Sequence, residues 1–168
     1  MPVVVIANPK GGVGKSTLST NVAGYFASRG CSVMLGDADK QQSSRLWLGI
    51  RPSAARKISA WEIGADHIAK PPKGTTHVVI DTPAGLHGKR LKEVIKRADK
   101  VLIPLQPSVF DIFATKAFLD ELLRVNEADR ARVAGDRLAR SAQRAGLAHA
   151  VHLWRAGTGL GSRGDSGL

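Results

Sequence analysis

Short apolar runs recur along the first three quarters of the chain, and the spacing between them alternates between two periods. Val3-Val-Val-Ile6, Ser32-Val-Met-Leu35, His77-Val-Val-Ile80 and Val101-Leu-Ile-Pro-Leu105 read as buried strands, being short and rich in β-branched residues. Between them the period lengthens. Ser16 to Arg29 carries Leu18, Val22, Tyr25 and Phe26 near helical spacing and stops at Gly30. Ala60 to Lys70 reads as a helix ended by Pro71-Pro72, and Lys89 to Asp99 as another. Ser108 to Arg124 is the last, with Phe110, Ala114, Ala117, Phe118 and Leu122 on or near one face. Strands without a polar side, alternating with helices, predict an α/β fold whose mainly parallel sheet is flanked by helices on both faces.

The pattern fails past Arg124. Residues 125–168 contain no Lys, Pro, Ile, Phe, Tyr or Met, and hold seven Arg, seven Gly and nine Ala. The expected division is a domain over 1–124, an Ala/Arg-rich helical or irregular extension over 125–156, and a disordered glycine-rich tail over 157–168. Asn126 to Ala150 could form an Ala/Arg helix interrupted by Gly135 and Gly146, and Ala131-Arg-Val-Ala134 is the only hint of a strand.

Composition changes this picture little. A length of 168 residues suits one domain with one sizeable core, and 43% hydrophobic and 23% charged residues exclude a wholly disordered or collagen-like chain. The lone Cys31 excludes an internal disulfide and a site needing several thiolates. No apolar run approaches about 18 residues, and Val3 to Ile6 is too short for a signal peptide, so a soluble cytoplasmic protein is expected. Charge says more. A formal net charge of +11 fits a polyanionic partner (nucleic acid, an anionic membrane surface or a phosphorylated ligand) or simply a well-solvated basic surface.

The candidate chemistry lies between the first strand and the first helix, in Asn8-Pro-Lys-Gly-Gly-Val-Gly-Lys-Ser-Thr17. Glycine-rich backbone there can wrap phosphate oxygens while helix N-terminal N–H groups point at them. Gly11, Gly12 and Gly14 let the chain turn tightly. Lys15 would reach the β- and γ-phosphates, Ser16 would ligate Mg²⁺, and Thr17 could touch the α-phosphate. Pro9 stands where the strict P-loop pattern has glycine, and a second lysine, Lys10, precedes the glycine pair.

Lys10-Gly-Gly-Val-Gly-Lys-Ser16 resembles the deviant Walker A motif of the ParA/MinD ATPases, P-loop NTPases, and the likeness to short ParA-type partition proteins covers about residues 2–124. It implies nucleotide contacts from Lys10 through Thr17, Val13 included, with Lys10 reaching the partner's nucleotide in an ATP-sandwich dimer. Gly36-Asp-Ala-Asp-Lys-Gln41 is similar to the family's Asp-x-Asp-Pro-Gln segment, with Lys40 in place of proline. Asp37 would lie near Mg²⁺ and Asp39 would orient or deprotonate the attacking water; two carboxylates facing a triphosphate need a cation between them. The bland alternative is a loop with turn-forming aspartates. His77-Val-Val-Ile-Asp81 resembles a Walker B strand, with Asp81 holding Mg²⁺ through water, and Thr82-Pro-Ala-Gly85 the switch that senses the γ-phosphate. Leu102-Ile-Pro-Leu-Gln-Pro-Ser108 also matches the family, either as a rigid loop or as a contact to nucleotide or dimer partner.

Other residues carry less. The five histidines and Cys31 show no metal-ligand spacing, Trp47 and Trp61 read as packing residues, and no Ser/His/Asp triad is evident. Lys89 to Lys100 holds six cations and two anions whose outer face could meet DNA phosphates or merely be solvated. Arg45, Arg51, Arg56 and Lys57 form a second basic group. The resemblance therefore implies a slow Mg-ATP hydrolase with catalytic Lys10, Lys15 and Asp39. It would dimerise with ATP, bind DNA non-specifically, respond to a centromere-binding partner protein and segregate a plasmid or chromosome. Two alternatives stand beside it. One is a MinD-like membrane or scaffold-positioning ATPase, against which the glycines of the tail argue. The other is a frameshifted or truncated nucleotide-binding remnant without partition activity.

Overall fold

The computed structural model describes residues 1–63, 70–127 and 150–155. In chain order the elements are β1 (Val3–Ile6), α1 (Lys15–Ser28), β2 (Val33–Asp37), α2 (Ser43–Gly49), β3 (Ile58–Trp61), β4 (His77–Asp81), α3 (Gly88–Ile95), β5 (Lys100–Leu105), α4 (Val109–Glu127) and β6 (Ala150–Arg155). They form one sheet in the order β3-β2-β4-β1-β5-β6. The first five strands are parallel; β6 runs antiparallel to β5, pairing Lys100 with Arg155 and Leu105 with Ala150.

Alternation along each strand divides the core in two. Val4, Ile6, Val33, Leu35 and Val79 meet Ala23 and Ala27 of α1 on one face of the sheet. Val3, Val5, Val78, Ile80, Val101 and Ile103 meet Leu91, Val94, Ile95, Phe118 and Leu122 on the other. Each fully buried Val, Leu or Ile contributes about 1.5–3 kcal/mol by leaving water, so two covered faces explain why these strands carry no polar side. Because the strands are parallel, their carboxyl ends lie along one edge, where open α/β sheets bind ligands.

Two helices differ in part from the expected faces. On α1 the buried positions are Lys15, Ser19, Thr20, Ala23 and Ala27, the last four small enough to let the helix approach the sheet closely; Leu18, Val22 and Phe26 pack partly buried against the same core, whereas Tyr25 is exposed. On α4 the buried positions are Asp111, Thr115, Phe118 and Leu122, and Phe110 is 81% exposed. Of the face that the apolar spacing predicts, Phe118 and Leu122 are buried, while Phe110 and Ala117 are exposed and a buried carboxylate and hydroxyl take the N-terminal part of the stripe. On α3 the expected core side, Leu91, Val94 and Ile95, is buried.

Three elements escaped the reading of the pattern. The short helix α2 was not anticipated. The expected helix from Ala60 opens instead as the strand β3, with Ile58 and Trp61 buried; residues 64–69 of that expectation lie outside the described residues. Gly36 of β2 makes this possible, since a Cβ there would stand 2.5 Å from Ile63 Cδ1 and 3.0 Å from Trp61 Cε3. A strand also follows Arg124 after all, as β6, while the suggested strand at 131–134, most of the Ala/Arg helix and the tail at 157–168 lie outside the described residues.

Candidate functional site

The loop between β1 and α1 is held from three sides. Thr82 Oγ1 donates to Ile6 O at 2.8 Å, Gly85 N donates to Pro9 O at 2.8 Å, and Asn8 Nδ2 donates to Pro104 O at 2.8 Å. Gln106 Nε2, in the Pro-x-x-Pro stretch, donates to Gly12 O at 3.3 Å. Gly12 and Gly14 take φ of 74° and 86°, a region that favours glycine. Gly14 caps α1 with no side-chain hydrogen bond and no acidic residue in the first turn. The first-turn N–H groups are thereby left to an external acceptor, at the positive end of the helix. Beside them lies a cavity of about 1060 Å³ lined by the glycines, Lys15, Ser16, Thr17, Ala38 to Gln41, Ser43 and the segment from Pro83 to Arg90. That volume matches what small-molecule ligands occupy.

The two lysines of the loop part company. Lys15 is only 7% exposed; its Nζ donates to Lys10 O at 2.7 Å, and it faces the cavity. Burial holds its pKa below the ordinary lysine range, partly offset by the Asp81 and Asp39 carboxylates. Lys10 does not line the cavity. Its Nζ pairs with Asp111 Oδ2 on α4, and Ser108 Oγ donates to the same oxygen. These bonds hold the Asp111 carboxyl below its usual range. Asp111 N in turn donates to Ser108 Oγ at 3.1 Å, an N-cap on α4.

The carboxylates stand at the ends of neighbouring strands, with Asp37 and Asp81 in register across β2 and β4. Asp81 is fully buried; Ser44 Oγ donates to its Oδ2 at 2.7 Å, and its Oδ1 has no hydrogen-bond partner. Burial pushes its pKa up, the Ser44, Ser16 and Ser19 hydroxyls pull it back, and the Asp37 charge adds to the rise. An orphaned buried carboxylate oxygen costs about 1–3 kcal/mol, a cost that a bound cation would relieve. Asp37 accepts from Asp39 N at 3.0 Å and from Arg45 N at 3.1 Å, so it ties down both the loop and the first turn of α2. Asp39 lines the cavity and accepts from Gln41 N at 3.0 Å.

Of the residues singled out from the sequence, Gly11, Gly12, Gly14, Lys15, Ser16, Thr17 and Asp39 line one cavity. Asp37 and Asp81 stand behind that lining. Lys10 is turned to α4, and Val13, 1% exposed, is buried and does not line the cavity. Reading the sequence missed Asn8, Ser44, Asp111 and Thr115. One signal was present: Ser108-x-x-Asp111 has the spacing of a capping box. Trp61 packs in the core, and Trp47, half-buried, packs against core residues with the Arg51 guanidinium 4.7 Å from its ring centroid.

The chain matches CbiA, the CobQ/CobB/MinD/ParA nucleotide binding domain, over residues 4–152. It is similar to maintenance of carboxysome distribution protein A of Gloeobacter kilaueensis, 34% identical over 66% of this chain and 51% of that protein. Protein ParA of Rhizobium radiobacter is 32% identical over the same shares, and the chromosome-partitioning ATPase Soj of Thermus thermophilus 46% identical over 29% of this chain and 19% of its own. The chain spans about half the length of the first two. Among solved structures, the MinC:MinD cell division complex of Aquifex aeolicus superposes with a TM-score of 0.60 at 24% identity, over 84% of this chain and 73% of that one. pNOB8 ParA bound to nonspecific DNA gives 0.56 at 19%, over 73% and 59%. These likenesses show a common fold.

Proposed function

We propose that this chain, which belongs to the CobQ/CobB/MinD/ParA nucleotide binding domain family, is a Mg²⁺-dependent ATPase switch of the partition kind. The observation that carries the reading is the uncapped start of α1 facing a cavity with Lys15, beside a buried Asp81 oxygen that lacks a partner. Backbone N–H groups from Gly11 to Thr17 and the Lys15 ammonium bind the triphosphate. Ser16 and Asp81 are the oxygen donors for Mg²⁺, with Asp37 bordering them. Among the described residues no cluster of three or more His, Cys, Asp or Glu could hold a metal ion; in this reading one or two carboxylates act together with substrate phosphates. Held by Ser16 and Asp81, Mg²⁺ would supply positive charge to offset the charge that develops on the phosphates.

Asp39 faces the same space and orients the attacking water. Lys10 adds its charge in an ATP-sandwich dimer, as family resemblance implies, and must leave Asp111 to do so. The dimer binds DNA non-specifically and moves a plasmid or chromosome, with hydrolysis stimulated by a centromere-binding partner. A second reading is positioning of another cargo, favoured by the 34% identity to a protein named for carboxysome distribution. Among the described residues no helix is long and apolar enough to cross a membrane.

Thermal unfolding with ATP, ADP and GTP, each with and without Mg²⁺, tests the reading, because a ligand of the native state raises the midpoint with its affinity. A Mg²⁺-dependent rise with ATP and ADP is expected. A folded chain indifferent to all three would be the inert remnant instead.

A further inference from the structure

Helix α3 and the turn after it present an unusual surface. Lys89, Arg90, Lys92, Lys96, Arg97 and Lys100 are all exposed, whereas Leu91, Val94, Ile95 and Ala98 are buried against the sheet. The apolar side fixes the helix, so the cations project from a rigid base. Among the described residues the ion pairs are Lys10–Asp111 and Arg45–Glu62, and neither involves this face. The acids nearby do little to neutralise it: Asp99 Oδ2 accepts from Val3 N at 2.7 Å, Glu121 Oε1 accepts from Gly88 N at 3.1 Å, and Glu93 alone stands exposed among the cations of α3.

We propose that this face of α3 is where the chain contacts the phosphates of duplex DNA, under control of the nucleotide cavity. The inference rests on the partition reading above, which already makes DNA binding depend on nucleotide, and adds to it the surface and the segment that joins it to the cavity. An eight-residue helix is about 12 Å long, and duplex DNA carries one charge per about 1.7 Å of axis, so about seven phosphates pass the length of α3. A row of cations with no apolar residue left outward suits that polymer better than a bilayer, which an interfacial helix enters with its apolar side. Contacts of this kind position a protein without reading sequence.

The coupling follows from where α3 begins. His87, Gly88, Lys89 and Arg90 line the nucleotide cavity, and Gly85 N holds Pro9 O of the phosphate loop at 2.8 Å. Gly85 and Gly88 take φ of 69° and 61°, so the segment entering α3 turns through conformations that glycine permits. A ligand that moves this segment moves the start of the cationic row.

The test uses the whole chain and a labelled duplex of random sequence, with Mg²⁺ and ATP or ADP, across a salt series. Lys92→Ala/Lys96→Ala/Arg97→Ala removes three cations that do not line the cavity; Arg45→Ala/Arg51→Ala/Lys57→Ala removes three elsewhere. The first is expected to lose at least about tenfold in affinity at low salt and to flatten the log K against log salt slope by about 2.7, at 0.9 per contact. The second should stay near wild type, and Lys92→Arg/Lys96→Arg/Arg97→Lys should restore binding. A rise in midpoint with ATP in each variant confirms a folded cavity. If wild type binds DNA and the first variant matches its affinity and slope, the α3 assignment is wrong. Equal DNA affinity with ATP and ADP defeats the coupling. Wild type that responds to ATP yet binds no DNA overturns the partition reading itself, and binding of anionic phosphatidylserine vesicles in place of DNA makes the surface a membrane one.

Discussion

The two ends of the phosphate loop are built for different purposes. The end that runs into α1 is finished: Gly14 opens the helix, Lys15 is buried with its ammonium on Lys10 O, and Ser16 and Thr17 face the cavity. The end that leaves β1 is tethered away from it, with Asn8 on Pro104 O and Lys10 on Asp111. Two lysines five positions apart thus hold one charge at the cavity and one in reserve on α4. In the proposed function a single chain would bind phosphates with one cation and bring the second only on a further event, the behaviour of a switch.

The sharpest way to break this contrast is to remove each lysine. Lys15→Ala should weaken ATP binding by about a hundredfold or more, since truncating a desolvated charge contact costs several kcal/mol. Lys10→Ala should leave ATP affinity near wild type in titration calorimetry; an equal loss in both would erase the distinction. Asp39→Ala should keep ATP affinity while turnover falls by about a hundredfold, in the range of a lost general base or water-positioning group. Steady-state hydrolysis with unchanged rate would remove that role.

Smaller effects concern stability. Asp81→Asn should stabilise the ligand-free chain by about 1 kcal/mol, by relieving a buried carboxylate, and abolish the Mg²⁺ contribution to nucleotide binding. Folded Asp81 holds its proton more tightly than the unfolded chain. Its effect is therefore most favourable below the ordinary value of 3.8 and is lost as pH rises through the raised folded value. Denaturant midpoints of wild type and Asp81→Asn should diverge across that rise. Asp111 has the opposite sign. Its carboxyl is held low, so the stability it lends is present above 3.8 and fades as pH falls through its lower folded value. The gap between wild type and Asp111→Asn should close only in strong acid; a gap independent of pH would show that the Lys10 pair contributes nothing.

Much of this was legible in the residues. The strands stood out because burial on both faces removes their polar positions, and the loop because glycine, lysine and serine at that spacing do one job. What stayed hidden depended on neighbours far along the chain. Ile58 to Trp61 became a strand because Gly36 leaves room for Trp61 and Ile63 across the sheet. Asp111 and Thr115 take the N-terminal part of the buried face of α4 because Lys10 and Asn8 lie against it. The destination of Lys10 is tertiary information, since its spacing in the loop says nothing of a carboxylate 101 positions away.

The central claim is that the start of α1, Lys15 and Asp81 together form a Mg²⁺-nucleotide site. Titration calorimetry of the folded chain with ATP tests it most directly, run with Mg²⁺ and again with chelator, for wild type and Lys15→Ala. Saturable binding to wild type that Mg²⁺ strengthens and Lys15→Ala abolishes is the expected result. Folded wild type that takes up no heat at millimolar ATP and Mg²⁺, or that binds equally well without Lys15, would contradict it.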